Sequence, residues 1–258
     1  GTPESPVRFH AEQANPAAWK GIRVEGDFSE AHLRGTVISD AETGLTINGF
    51  PEVDRTKFAL ESCVLYQNRT GLRLEKFSSM RVINCGIVRN QEDGISARED
   101  DGVYIHLTLA SNGGKGYVCV GKPAPQFDEC SIAGNEKGGV HCATAGEAFR
   151  ARWSASKCNL FSNGPFDVFN DAPSGLLLSG NFWGSATTKE LQVLGDNSKK
   201  RPRARIWDGL HPKYRGQGVV IASNFVTDFC KTGGADAAVI ALAGGEPLDV
   251  ASWVHPTR

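Results

Sequence analysis

Long apolar runs are missing from this chain. Nothing in its 258 residues approaches the about 20 consecutive apolar residues that a membrane-spanning helix needs, and no signal-peptide pattern begins at Gly1. An excess of either charge is missing too. Lys and Arg number 28 against 29 Asp and Glu, a formal net charge of −1. That excludes a general attraction to nucleic acid or to an anionic membrane. Seven cysteines are present, but no CxxC or Cys/His spacing of the zinc type.

What is there alternates with period two. Cys85 and Ile87 point one way, Gly86 and Val88 the other; Leu72 with Leu74, Ile95 with Ala97, Tyr117 with Cys119 and Val140 with Cys142 behave alike. Short alternating runs broken by Asn, Gly and Asp read as strands and turns. The runs recur. Asn68, Asn90, Asn112, Asn135, Asn163 and Asn181 are spaced mostly 22 or 23 residues apart. Leu65, Ile87, Leu109, Ile132, Leu160 and Leu178 lie three residues before them, and Cys63, Cys85, Leu107, Cys130, Cys158 and Leu176 lie five before. Leu60, Val82, Tyr104 and Phe127 form a third inward column eight residues before the first four asparagines, and Gly71, Gly94, Gly116 and Gly139 follow those four. The period fits one coil of a solenoid. Three short strands per coil imply a roughly triangular section, with each strand paired in parallel to its copy about 4.8 Å away. No coil buries its apolar face alone, so the stack is the folding unit. Stacked amides would hydrogen-bond along the axis, and asparagine itself tolerates the left-handed conformation that a sharp bend needs.

On these residues the chain resembles a right-handed, single-stranded parallel β-helix of the pectin-lyase-like superfamily, all-β, from residue 7 to about 185. The stretch Gly180–Ser185 (GNFWGS) is similar to the Asn-aromatic-Trp-Gly element that closes such repeats in bacterial surface and periplasmic proteins. The opening, with Gly1, Thr2, Pro6, Val7, Phe9, Trp19, Gly21, Ile22 and Val24, resembles a frequent early segment. The resemblance implies an exported, cell-surface or periplasmic protein. In related sequences the opening element follows earlier coils, which implies an upstream segment or a partner subunit over the N-terminal coil, whose strand edges are otherwise unpaired. The superfold hosts lyases, hydrolases, epimerases, adhesins and scaffolds, so it does not name an activity.

The register assigns six of the cysteines to the core. Cys63, Cys85, Cys130 and Cys158 share one inward column and Cys119 and Cys142 another, as small apolar fillers. Free thiols are expected, although Cys63 with Cys85, or Cys119 with Cys142, lie at a separation that permits a disulfide.

Along the chain, coils are expected over residues 1–185, regular from 57, with longer turns at 98–102, 121–126 and 143–147. Residues 186–258 form a loop-rich C-terminal cap with one last strand, and the apolar stretch Ala237–Ala243 is a lid or partner contact. Insertions in a solenoid collect at particular corners, where function concentrates.

Candidate chemistry is sparse. The acidic turn Arg98, Glu99, Asp100, Asp101 and Gly102 offers oxygen ligands for Ca²⁺. Its consecutive side chains diverge, however, and a solvated turn without metal is the simpler reading. Arg98, Asp100, Asp101 and His106 are the candidate catalytic residues were the chain a polysaccharide lyase, hydrolase or epimerase. Hydrolysis needs two facing carboxyls. The outward positions after the glycines are Arg73 and Glu75, Ser96 and Arg98, Val118 and Val120, His141 and Ala143, and Glu75 with Arg98 reads as a cross-strand ion pair. Trp153, near Arg150 and Arg152, reads equally as a binding or as a packed residue. The basic stretch Lys199, Lys200, Arg201, Arg203 and Arg205 offers an anion contact, with a solvated or ion-paired loop as the plainer reading. The expectation is therefore a non-catalytic scaffold that binds a glycan, an envelope component or a partner subunit through a lateral face (Arg73, Glu75, Arg98, His141, Trp153) or its ends. The alternative is the polysaccharide-active enzyme.

Overall fold

The computed structural model describes residues 1–2, 4–26, 30–49, 58–75, 80–144, 153–173, 175–195, 200–212 and 218–243. The chain winds into a parallel solenoid of three sheets. The first sheet has 7 strands, from Val7–Phe9 to Asn159–Phe161. The second has 8, from Ile22–Glu25 to Ile206–Trp207, and the third has 8, from Ala31–Arg34 to Val220–Ser223. Every inter-coil pairing is parallel and keeps like positions in register. Ile38, Leu65, Ile87, Leu109, Ile132 and Leu160 form one inward column on the first sheet. Leu60, Val82, Tyr104 and Phe127 form the third-sheet column. All of these are buried, each side chain contributing roughly 1.5–3 kcal/mol by leaving water. All seven cysteines are unpaired, and six lie in the core as the alternation requires.

The asparagine column is a continuous ladder. Asn68 Nδ2 donates to Asn90 Oδ1 (3.2 Å), Asn90 to Asn112 (2.9 Å), Asn112 to Asn135 (2.8 Å) and Asn135 to Asn163 (2.8 Å). Each amide oxygen also accepts the backbone N–H of the preceding asparagine, as Asn112 Oδ1 does from Asn90 at 3.0 Å. The bend falls one residue earlier than expected. Gln67, Arg89, Ser111 and Ser162 carry the left-handed φ of 53–56°, which leaves each asparagine free to turn its amide inward. Glycines follow because the next rung crowds them: a Cβ on Gly94 would lie 2.7 Å from Gly116 O and 2.9 Å from Asn112 Nδ2.

Asn181 is not a rung of this ladder. Asp167 takes the sixth place, with its Oδ1 accepting from Asn163 N (3.1 Å) and Nδ2 (3.0 Å). Arg205 closes the end by pairing with Asp167 at 2.7 Å. The last coil is shifted by one strand: Ser179 pairs with Ser156, so Leu178 continues the third-sheet column of Phe127 and Ala155. Asn181 follows Cys158 in the cysteine column and accepts the Cys158 N–H at 2.9 Å. A four-residue spacing from Asn163 to Asp167 replaced the coil-length spacing that the asparagines suggested.

Helix α1 (Gly184–Leu194) follows the last coil and packs on it through the buried Thr187, Thr188 and Leu191. The chain then returns along the outward side of the first sheet. Val226, Phe229, Cys230, Ala235, Val239 and Leu242 cover Val37, Val64, Val88, Ala110, Ala133, Phe161 and Phe182. This strap includes helix α2 (Ala237–Ala241). It is pinned by Cys230 N to Asn159 Oδ1 (2.8 Å), Asp236 N to Asn84 Oδ1 (2.7 Å) and Arg8 Nη1 to Leu242 O (3.3 Å).

Candidate functional site

With the first sheet covered by the chain's own strap, the second sheet carries four of the five residues expected on a binding face, Arg73, Glu75, Arg98 and His141. Its pairing sets Arg23, Thr46, Arg73, Ser96, Val118, His141, Phe169 and Trp207 in one outward column. The face changes character along the axis. At the N-terminal end Arg23 holds both Glu25 and Glu75, the latter at 2.8 Å. At the C-terminal end the rings stack on successive coils. His141 lies parallel to Phe169 at 4.5 Å and 8°, and Phe166 meets Trp207 at 4.8 Å, with His211 beyond at 5.7 Å from Trp207. Val120, at 46% exposed, leaves apolar surface between the two halves. Phe166, Phe169, Trp207 and His211 were not expected here. Phe169 and Trp207 are brought under His141 only because a 28-residue coil separates His141 from Phe169 and a long excursion separates Phe169 from Trp207.

The electrostatics divide in the same way. Both ring nitrogens of His141 are buried without a hydrogen-bond partner among the described residues, and burial, helped by Lys115, lowers its pKa to about 4. The ring is therefore neutral and packs as an aromatic. Glu75 pairs with Arg23 rather than with Arg98, a correction that arises because Arg23 reaches across two coils. Arg98 stays exposed on the face.

The four candidate catalytic residues are dispersed. A bulge after Arg98, with Glu99 at φ 67°, turns Asp100 inward. Its carboxylate is fully buried and accepts from Tyr104 Oη, Tyr117 Oη and Gly102 N, each at 2.7 Å. Desolvation raises this carboxyl to about 6, against the lowering effect of the two tyrosines and Gly102 N–H. The solvated acidic turn is thus corrected to a strand end with one carboxylate in the core, and among the described residues no group of three His, Cys, Asp or Glu is set to hold a metal ion. Asp101 is half-buried beyond the bulge. His106 occupies a left-handed corner between the third and first sheets, where its Nδ1 lies 3.1 Å from Thr232 O of the strap.

Trp153 and the basic stretch each resolve to the plainer of their two readings. Trp153 is 3% exposed and edge-on to Phe127 at 6.4 Å. It is a core residue, because the strand that it precedes places it under the next coil. The basic stretch does not act as one patch. Lys199 lies outside the described residues, and Lys200 and Arg201 are exposed. Arg203 is buried in an ion pair with Asp208 and donates to Val220 O at 2.7 Å, and Arg205 ends the ladder.

A family model described as a right-handed β-helix region matches residues 18–182. The chain belongs to the right-handed β-helix family. Comparison with the curated proteins and with the solved structures gave no significant match. Membership in the right-handed β-helix family fits the three-sheet geometry, and the matched span ends with the coil before α1. No helix among the described residues is long and apolar enough to cross a membrane.

Proposed function

We propose that this right-handed β-helix chain is a non-catalytic scaffold of an exported protein, which binds an extended glycan, an envelope component or a partner subunit along the second sheet. One observation carries the reading. The outward column passes from Arg23 and Arg73 through Val118 to the His141–Phe169–Trp207 stack, a rigid strip with charge at one end and, at the other, the half-buried rings of His141 and Phe169 backed by the buried Phe166 and Trp207. Stacking rings and cations suit a polymer that offers both apolar faces and acidic or hydroxyl groups. The acidic side chains of the charged end, Glu25 and Glu75, are both held by Arg23. Neither is set as the proton donor or nucleophile of a facing pair.

A panel of neutral and uronate polysaccharides, each with and without calcium, tests both halves of the reading. Affinity electrophoresis is expected to show retardation by at least one acidic polymer. The double change R73A/R98A is expected to weaken it about tenfold, equivalent to about 1.4 kcal/mol for lost charge-assisted contacts. Reducing ends and unsaturated products are expected to stay at background. Turnover of any polymer would overturn the scaffold in favour of a polysaccharide-active enzyme, and retardation unchanged in the double variant would remove the second sheet as the binding face.

A further inference from the structure

The corner between the third and first sheets stacks Cys63, Cys85, Leu107, Cys130, Cys158 and Asn181 on consecutive coils. Leu107 divides the four cysteines into two pairs, so each thiol has one thiol neighbour along the column. The two pairs repeat one geometry. Cys63 N donates to Cys85 Sγ at 3.4 Å, and Cys130 N donates to Cys158 Sγ at 3.4 Å. Coil spacing of about 4.8 Å falls inside the roughly 4.4–6.8 Å Cα separation of disulfides.

We propose that Cys63–Cys85 and Cys130–Cys158 are oxidation sites, at which a small hydroperoxide closes a disulfide between adjacent coils. In the first step the sulfur of one thiol attacks the peroxide. The O–O bond breaks, an S–O bond forms, and one water leaves. In the second step the neighbouring thiol attacks that sulfenic sulfur. The S–S bond forms, the S–O bond breaks, and the hydroxyl leaves as water with the second thiol's proton. Two thiols are oxidised by two electrons and one peroxide is reduced to two waters.

The order of attack follows from the surroundings. The hydrogen bond with Cys85 holds the Cys63 thiol below its ordinary range, while burial pushes Cys85 well up. Cys63 is therefore the thiol that reacts first and Cys85 the one that resolves it. Cys119 and Cys142 face one another across the second sheet, but burial raises both. Burial raises Cys85 and Cys158 as well; what sets Cys119 and Cys142 apart is that no N–H···Sγ contact like those of the two proposed pairs joins them, so they make an internal comparison that should lag.

The native chain is treated with graded hydrogen peroxide. Remaining thiols are blocked with iodoacetamide in guanidinium, and tryptic peptides are read by mass spectrometry. Lys and Arg residues lie between the members of each pair, so a bridge appears as a linked peptide. The expected result is 63–85 and 130–158 linkage ahead of 119–142, with a raised thermal midpoint. Cys85→Ala removes only the first linkage, and circular dichroism confirms that the variant is folded. Oxidation confined to the half-exposed Cys230, or 119–142 linkage appearing first, overturns the proposal.

Discussion

Asn112→Ala is expected to cost about 3 kcal/mol of folding stability, because it strands one buried N–H, at roughly 1–3 kcal/mol, and removes further hydrogen bonds at roughly 0.5–1.5 kcal/mol each. Asn112 sits in mid-ladder and is fully buried. Its Nδ2 serves Ile87 O at 3.1 Å and Asn135 Oδ1 at 2.8 Å, and its Oδ1 serves both Asn90 N and Asn90 Nδ2. Alanine leaves Asn90 N without a partner and takes one partner each from Ile87 O and from Asn90 Nδ2, which keeps Leu65 O at 3.3 Å, while Asn135 Oδ1 keeps the Asn112 backbone N–H at 3.2 Å. Asn181→Ala, which strands only Cys158 N and Ala155 O, is expected to cost less. Guanidinium unfolding followed by circular dichroism separates the two. An Asn112→Ala midpoint within experimental error of the parent would show that the ladder is dispensable. Aspartate holds the sixth rung with Arg205 paired to it, so Asn112→Asp, which buries a carboxylate without that guanidinium, should be no milder than alanine.

The second large effect is a pair of opposed pH dependences. Asp100 has a folded carboxyl pKa near 6 against an ordinary 3.8. Between those values the folded state holds a proton that the unfolded state has released. Its contribution is therefore fully present below about pH 4 and lost as pH rises through 6. A displacement of about two pH units corresponds to about 3 kcal/mol. His141 works the other way. Its folded pKa is about 4 against an ordinary 6.5, so its contribution is present above pH 6.5 and lost as pH falls through 4, again by about 3 kcal/mol. The groups that face Asp100 are Tyr104, Tyr117, Gly102 N–H, Asp101 and Cys119. Those that face His141 are Phe166, Phe169 and Lys115. In the parent the two dependences nearly cancel. Asp100→Asn should unmask stability that rises from pH 4 to 6.5, and His141→Phe should unmask stability that falls over the same interval. Unfolding curves at half-unit pH steps test this, with each variant compared with the parent so that shared titrations drop out. Variants that run parallel to the parent would show that neither group titrates as its burial requires.

Much of the architecture was legible before any coordinates. Alternation told inward from outward side chains, and it placed Cys63, Cys85, Cys119, Cys130, Cys142 and Cys158 in the core because a period of two leaves no other side for them. The spacing of about 22 residues established a stack of coils. It failed at the last coil, where Asp167 replaces an asparagine after only four residues, because a hydrogen-bond acceptor rather than a residue name defines the rung. It failed also at Asp100, where one inserted residue at a bulge exchanges the two faces of a strand. Arg203 and Arg205 looked like members of one basic run, yet each finds a buried carboxylate tens of residues away or across a turn.

By itself, then, the sequence determined the repeat, the parallel pairing and the inward columns. These are properties of short-range alternation, and each coil repeats them. The tertiary structure decided the rest. It decided which corner closes the ladder, which sheet the strap covers, and that His141, Phe169 and Trp207 meet on one face. Those contacts join residues separated by a coil or by a long excursion, and their meeting depends on accumulated coil lengths and on where a bulge resets the register.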